Sequence, residues 1–385
     1  MRRPLTALLL VTTVVAAACT DESSDGGTTA PGTEPTTTVI APDLAMVAGQ
    51  PIPEARCQAN QEAGTIVYLS SFDFAATASI VDVLVAKSKG YYDGLCLDVD
   101  VKPSFSVDNY PQIAANDAQF SSGGSFSEMV DFAGANDAGF VALAVEGRTG
   151  IDALITKDGE VPTLADIKGT KIGVKGAITP SVKAMLAQQG LIEGEDYETV
   201  LLDGFDPVVH IEVPDIVGFP GYKSNEPLQL EAAGVPFTLY DPTDYDIPGS
   251  FGVVYTNDTF LTEHPTAAQD FMRATMRGLA DAVADPAAAS DIAIGFIDAG
   301  DNIMFLSAES ETARWGVEST LVGDGVAPGA PLGLPLMDQL TAEVTTYASI
   351  GLFDGVAPDI TTMVDPAVLA GIYAADGTII WPAEG

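Results

Sequence analysis

The 385-residue sequence is poor in positive charge: 16 Lys and Arg stand against 54 Asp and Glu, a formal net charge of −38. Nucleic-acid binding through phosphate contacts needs clustered Lys and Arg, so that class is excluded. Adhesion to anionic lipid is disfavoured for the same reason. The acids are spread along the whole chain, which reads as a solvated acidic surface rather than a functional patch. Histidine is scarcer still, with only His210 and His264, neither set beside a Cys, Ser or carboxylate at catalytic spacing. His264 precedes Pro265 and reads as a surface residue at a helix start. The three cysteines, Cys19, Cys57 and Cys96, form no cluster, and no metal or cofactor is expected. Beyond residue 18 no run is long and apolar enough to span a bilayer, and no internal repeat is visible.

What is present begins at the N-terminus. Met1-Arg2-Arg3-Pro4 is basic, and Leu5 to Ala18 is almost wholly apolar but too short for a stable membrane span. Val15-Ala16-Ala17-Ala18-Cys19 then places small residues before a cysteine. This resembles the lipobox of bacterial lipoproteins, with Ala16 where leucine is more usual. It implies removal of residues 1–18 and lipidation of Cys19, which would hold an exported chain at the outer face of a membrane. The alternative is an ordinary secretory signal cut nearby, with Cys19 incidental. Asp21 to Pro42 is rich in Thr, Gly, Pro, Ser and acids and has no apolar period. Such a composition buries too little surface to offset chain entropy, so residues 19–60 are expected to form a flexible tether.

Roughly 325 residues remain, enough for two lobes with substantial cores. Thr65 to Leu69, Leu97 to Val101, Gln119 to Gly124, Phe140 to Val145 and Ile151 to Ile155 read as strands, and Thr77 to Lys89 as a helix ended by Gly90. A second series follows Gly159: a capped turn at Thr163 to Ile167, a strand at Lys171 to Val174 and a helix at Ser181 to Gln188. Short strands then follow at Thr199 to Leu202, Asp215 to Phe219 and Phe237 to Tyr240. Phe251 to Tyr255 reads as a strand returning to the first lobe. Helical periods then cover Pro265 to Ala284, Pro286 to Ile297, Ala308 to Leu321 and Leu336 to Ser349. The alternation predicts an α/β body with mostly parallel sheets. Export would put Cys57 and Cys96 in an oxidising compartment. They lie just before the first strand candidate and at the start of the second. If those strands are parallel neighbours, a Cys57–Cys96 disulfide is expected; the alternative is two buried free thiols.

Some segments carry a family resemblance. Ala86-Lys87-Ser88-Lys89-Gly90-Tyr91-Tyr92 before a strand is similar to the "A-K-x-x-G-Y-[FY]" signature of type II periplasmic binding proteins. Leu164 to Val174 is similar to the "L-x-D-L-K-G-K-x-I-G-V" entry to their second lobe, and Asn225-Glu226-Pro227 to a cleft segment of the family binding alkylsulfonates, nitrate and thiamine-pyrimidine precursors. Glu212-Val213-Pro214-Asp215-Ile216 stands where that family often has "G-x-V-D-A". The resemblance covers roughly residues 64 to 370. It implies a two-lobed α/β periplasmic-binding-protein type II fold with mixed, mainly parallel sheets and C-terminal helices. Residues 61–157 and 251–385 would form one lobe and 158–250 the other, joined by two crossovers. It also implies a monomer that binds a small-molecule solute between the lobes and passes it to an ABC permease.

In open α/β sheets ligands sit beyond the carboxyl ends of the strands, at helix N-termini. That rule selects Phe72, Asp73 and Phe74, then Gly124, Ser125 and Ser127, then Glu146, Gly147 and Arg148. On the second lobe it selects Gly176, Thr179, Ser181 and Asp203, then Phe219, Tyr222, Asn225 and Glu226, with Tyr245 before the return strand. Phe72 and Phe74 read equally as core residues. Ser125, Thr179 and Ser181 read equally as helix caps, and Glu226 as a solvated acid at a helix start. Only Arg148, Lys175 and Lys223 bring positive charge near this region, whereas aromatics and carboxylates are plentiful. Sulfonate or nitrate would need cationic partners in a desolvated pocket. The balance favours a planar nitrogen heterocycle, a thiamine-pyrimidine precursor or a flavin-like vitamin, stacked on rings. Three other readings stay open: an alkylsulfonate or nitrate receptor, a sensory module for a membrane receptor, and an enzyme. The last would resemble thiamine-pyrimidine synthases, which use a cysteine-rich iron motif absent from this body.

Overall fold

The computed structural model describes residues 40–300 and 306–383. The signal segment, Cys19 and the tether as far as residue 39 lie outside the described residues.

Ten strands form two five-stranded sheets. β1 (Thr65–Leu69) and β2 (Asp98–Lys102) pair in parallel with Thr65 opposite Asp98, and β3 (Phe120–Gly123) runs parallel on the other side of β1. β4 (Phe140–Gly147) is wholly buried and completes this half of the chain. The second sheet holds β5 (Asp152–Lys157), β6 (Lys171–Val174), β7 (Glu198–Leu201), β8 (Gly218–Tyr222) and β9 (Phe237–Tyr240), in the order β7-β6-β8-β5-β9. β10 (Phe251–Asn257) returns to the first sheet, whose order is β2-β1-β3-β10-β4. The chain therefore passes between sheets twice, through residues 148–151 and 241–250. β10 is antiparallel to both β3 and β4, and β5 is antiparallel to both β8 and β9. The remaining pairings are parallel, so each sheet is mixed.

Before β1 comes α1 (Glu54–Glu62). The first series of crossovers uses α2 (Val81–Ser88), α3 (Ser106–Ala114) and α4 (Phe126–Asn136); the second uses α5 (Pro180–Gln188), α6 (Pro207–Ile211) and α7 (Glu226–Ala232). After β10 the chain is helical: α8 (Asp258–Glu263), α9 (Pro265–Ala284), α10 (Pro286–Gly300), α11 (Ala308–Gly323), α12 (Met337–Ser349) and α13 (Pro366–Ala370). Ser125 caps α4 through a capping box with Glu128, and proline opens α5, α6, α9, α10 and α13, where its missing N–H costs nothing. Helices cover both faces of each sheet, which explains the near-continuous apolar strands. On β10, Val254 faces the core shared with α2 and α9, while Val253 and Tyr255 face α4 and α12. On β5, Leu154 packs toward α5, and Ile155 toward α7. Tyr347 of α12 belongs to the Leu154 cluster, so part of the chain after residue 251 packs on the second sheet.

Two sequence expectations are corrected. The flexible tether does not extend to residue 60. Glu54–Glu62 form a helix whose Arg56 is fully buried and gives Nε to Asp270 Oδ2 at 2.6 Å and Nη2 to Asp270 Oδ1 at 2.8 Å. Asn60 donates to the same carboxylate at 2.7 Å, and Cys57 is disulfide-bonded to Cys96 with Cα atoms 5.3 Å apart. The expected pairing thus forms, with Cys57 on a helix rather than in a loop. The strand expected over Asp215 to Phe219 begins three residues later. At Gly218 a Cβ would lie 2.1 Å from the Ile155 carbonyl oxygen, so close pairing with β5 can start only at a glycine.

Candidate functional site

Between the two sheets lies an open cleft of about 1750 Å³. Its walls are built by chain segments at one end of the strands. From the first sheet come Phe72 after β1, Phe105 after β2 and Gly124 after β3; from the second come Lys175 to Thr179 after β6, Phe205 after β7 and Tyr222 to Glu226 after β8. The strands that run the other way reach the same end with their starts, Asp152 of β5 and Phe251 of β10. A third wall comes from the N-terminal turns of α11, with Ser307, Ser310 and Arg314. Gly252, the second residue of β10, has φ +65°, and a Cβ there would lie 2.7 Å from the Ala78 Cβ, so the start of the return strand needs glycine.

The most exposed aromatic rings gather here. Among the described residues, three aromatic side chains are more than a third exposed: Phe105 at 42%, Phe205 at 51% and Tyr222 at 38%. All three line the cleft. Phe105 meets Phe72 edge-to-face at 5.7 Å, and Lys175 Nζ lies 5.4 Å from the Phe205 centroid.

The two cleft cations are paired off. Lys175 Nζ is 2.7 Å from Glu226 Oε1, and the Tyr222 amide donates to Glu226 Oε2 at 2.8 Å. Arg314 Nη2 donates to Asn225 Oδ1 at 2.9 Å, and its Nε lies 3.2 Å from Glu311. Against these two cations stand Glu128, Asp131, Asp152, Asp206, Glu226 and Glu309. The closed end is the most acidic part. Burial, and then the charge of Glu128, push the Asp152 carboxyl up to about 7. Ser181 Oγ donates to Asp152 Oδ2 at 3.1 Å.

The cleft unites half of the residues selected from sequence: Phe72, Gly124, Thr179, Tyr222, Asn225 and Glu226 lie along it, and Ser125, Ser127 and Ser181 line its closed end. Others lie elsewhere. Phe74 packs in the core, edge-on to Phe296 at 5.5 Å. Asp73 is buried at φ +48° and accepts the Phe74 amide at 2.8 Å, shaping the turn. Glu146 is buried within β4, which continues to Gly147, and accepts the Ser79 amide at 2.9 Å. Arg148 donates to the Gly325 carbonyl beyond α11. Phe219 is a core residue, Tyr245 packs on the second-sheet core, and Asp203 accepts from the His210 ring through its carbonyl at 2.9 Å. Phe105, Phe205, Tyr110 and Asp152 were not selected. Applying the strand-end rule to every strand would have found the two phenylalanines, which follow β2 and β7.

The chain matches the family model described as "NMT1/THI5 like" over residues 77–289, more than half its length. It is 26% identical over 272 residues to the riboflavin-binding protein RibY of Chloroflexus aurantiacus, covering 68% of this chain and 72% of that protein. Among solved structures, the ligand-binding component of an ABC-type import system from Staphylococcus aureus superposes with a TM-score of 0.57 at 12% identity, covering 80% of this chain and 98% of the other. The alkanesulfonate-binding protein SsuA from Xanthomonas axonopodis pv. citri, bound to MOPS, gives 0.55 at 14% identity, covering 79% and 97%. At such identities the structural likeness speaks to the fold alone. By sequence and by architecture, then, the chain belongs to the NMT1/THI5-like family and has the two-lobed fold of periplasmic solute-binding proteins.

Proposed function

We propose that the protein is an exported solute receptor that hands a small planar heterocycle, a flavin of the riboflavin type, to an ABC permease. In this reading it is a monomer held at the membrane through Cys19. The observation that carries the ligand class is the convergence of Phe105, Phe205 and Tyr222 on one cleft. Exposing large rings to water is unfavourable, and a planar solute covers them at about 0.5–1.5 kcal/mol per good ring pair beyond area burial. The paired state of Lys175 and Arg314 argues against sulfonate or nitrate, which would have to break those contacts to be neutralised. Likeness to a riboflavin-binding protein supports the flavin over a thiamine-pyrimidine precursor. Binding needs no covalent step, only the approach of two walls around the solute.

A thermal-shift panel tests the reading. Riboflavin at a hundred times its Kd should stabilise the protein by about 2.7 kcal/mol, read as a rise in Tm. Stabilisation by taurine or nitrate, with none by flavins or pyrimidines, overturns it.

A further inference from the structure

At the closed end of the cleft a recess of about 20 Å³ lies among Ser127, Asp152, Thr179, Ser181 and Tyr222, room for about one water-sized group. It opens into the main cleft, with which it shares Gly124, Glu128, Asp152, Thr179 and Tyr222. The two sheets' walls meet here: a Cβ on Gly124 would sit 3.3 Å from the Tyr222 hydroxyl.

Two polar groups at this end are buried without a hydrogen-bond partner. Thr179 Oγ1 lines the recess itself. The Tyr110 hydroxyl belongs to a residue only 6% exposed, lines the adjoining cleft and lies beside Gly123. Buried polar atoms are ordinarily satisfied, so two unmatched ones in residues that line a cavity mark where a bound group completes the set. Asp152, its carboxyl pushed up to about 7, supplies an acceptor when ionised, with Glu128 and Glu226 adding negative potential. The cations nearest in charge balance are already engaged, Lys223 by Asp241 at 2.8 Å and Lys175 by Glu226.

We infer that this recess is a hydroxyl-accepting subsite: it admits the hydroxylated side chain of a flavin and rejects the phosphomonoester of the same chain. A hydroxyl is both donor and acceptor. It gives its proton to Asp152 and accepts from Thr179 or Tyr110. A phosphate dianion has no proton to give ionised Asp152, and among the described residues the nearby cations Lys175, Lys223 and Arg314 are already paired. The inference rests on the proposed flavin reading and adds its specificity.

Fluorescence titration of the full chain with riboflavin, lumiflavin and flavin mononucleotide tests it. Lumiflavin has the same ring with a methyl in place of the hydroxylated chain. Riboflavin should bind roughly tenfold or more tighter than lumiflavin, the size of one charge-assisted hydrogen bond. Flavin mononucleotide should bind at least as weakly as lumiflavin. In Asp152→Asn the preference for riboflavin over its phosphate should shrink by about tenfold. Thr179→Val, which keeps the side-chain shape, should weaken riboflavin and leave lumiflavin unchanged, and it serves as the second variant if Asp152→Asn does not fold. Binding of all three flavins with equal affinity overturns the subsite and leaves the flavin reading standing. Binding of none overturns both.

Discussion

Asp82 and Glu146 are two wholly buried carboxyls, each acting on the other. Burial pushes Asp82 up to about 6; burial and the neighbouring Asp82 charge push Glu146 well above the usual carboxylate range. Two such groups retain a proton between them at neutral pH. The unfolded chain releases that proton near pH 4. Both folded values are raised, so the penalty is absent in acid and grows as pH climbs from the unfolded value through the folded ones. Stability should therefore fall as pH rises from about 4 through about 6 and onward, and less steeply in Asp82→Asn, which keeps the side-chain shape but cannot ionise. Calorimetric Tm values at several pH points check this; parallel curves for the two proteins would sink it. At this scale the site was only half legible. Ser125, Thr179, Ser181, Tyr222 and Glu226 follow from the rule that strand ends and helix starts face ligands. Glu146 and Phe74 went astray because strand length and turn path decide which neighbouring side chain faces inward, and one residue changes the answer.

Elements were legible where period and punctuation agree. α9 occupies Pro265–Ala284 as expected, opened by proline and carrying a helical apolar stripe. α1 was missed for a physical reason: its buried residues are Arg56 and Asn60, so it shows no apolar period. Its packing is held instead by Asp270. Burial alone would raise that carboxyl, yet the hydrogen bond from Arg56 and the charges of Arg273 and Arg56 hold it below the usual range. The disulfide adds a second fastening. It closes a separation of 39 residues, which on loop-closure entropy is worth about 4 kcal/mol. Reduction, or Cys57→Ser with Cys96→Ser, should lower the urea midpoint accordingly. An unchanged midpoint would show that the ion pair alone secures the helix. α11 plays the corresponding part at the cleft, where Glu318 accepts from the Ala78 amide at 2.7 Å and from Ser224 Oγ at 2.6 Å. One carboxylate thus ties the loop after β1 to the loop after β8.

The whole molecule holds a cleft wider than the roughly 300–1,000 Å³ usual for small-molecule sites. Two short connections and the α11 contacts join its walls, an arrangement suited to hinged approach around a solute. Saturating ligand should therefore reduce the radius of gyration measured by small-angle scattering. A curve identical with and without a ligand of proven affinity would instead indicate binding to a rigid groove. The fold class was readable at this scale because alternating strands and helices leave few packings open, whereas the return of α12 to the second sheet, through Tyr347 and the following Ile350, Leu352 and Phe353, carries no sequence signal. The clamp on α1 has a mechanical meaning as well. Any pull arriving along the chain from upstream of residue 40 first meets Met46 in the first core and the backbone bonds of Gly49 and Gln50 to Trp381 and Ala383, and then α1, fastened by Cys96 at the edge of β2 and by Asp270 in α9. The load path ends there, on the first sheet, and bypasses β5 to β9. Tension on a leash would then do no work on the jaws, and capture would be governed by the solute alone.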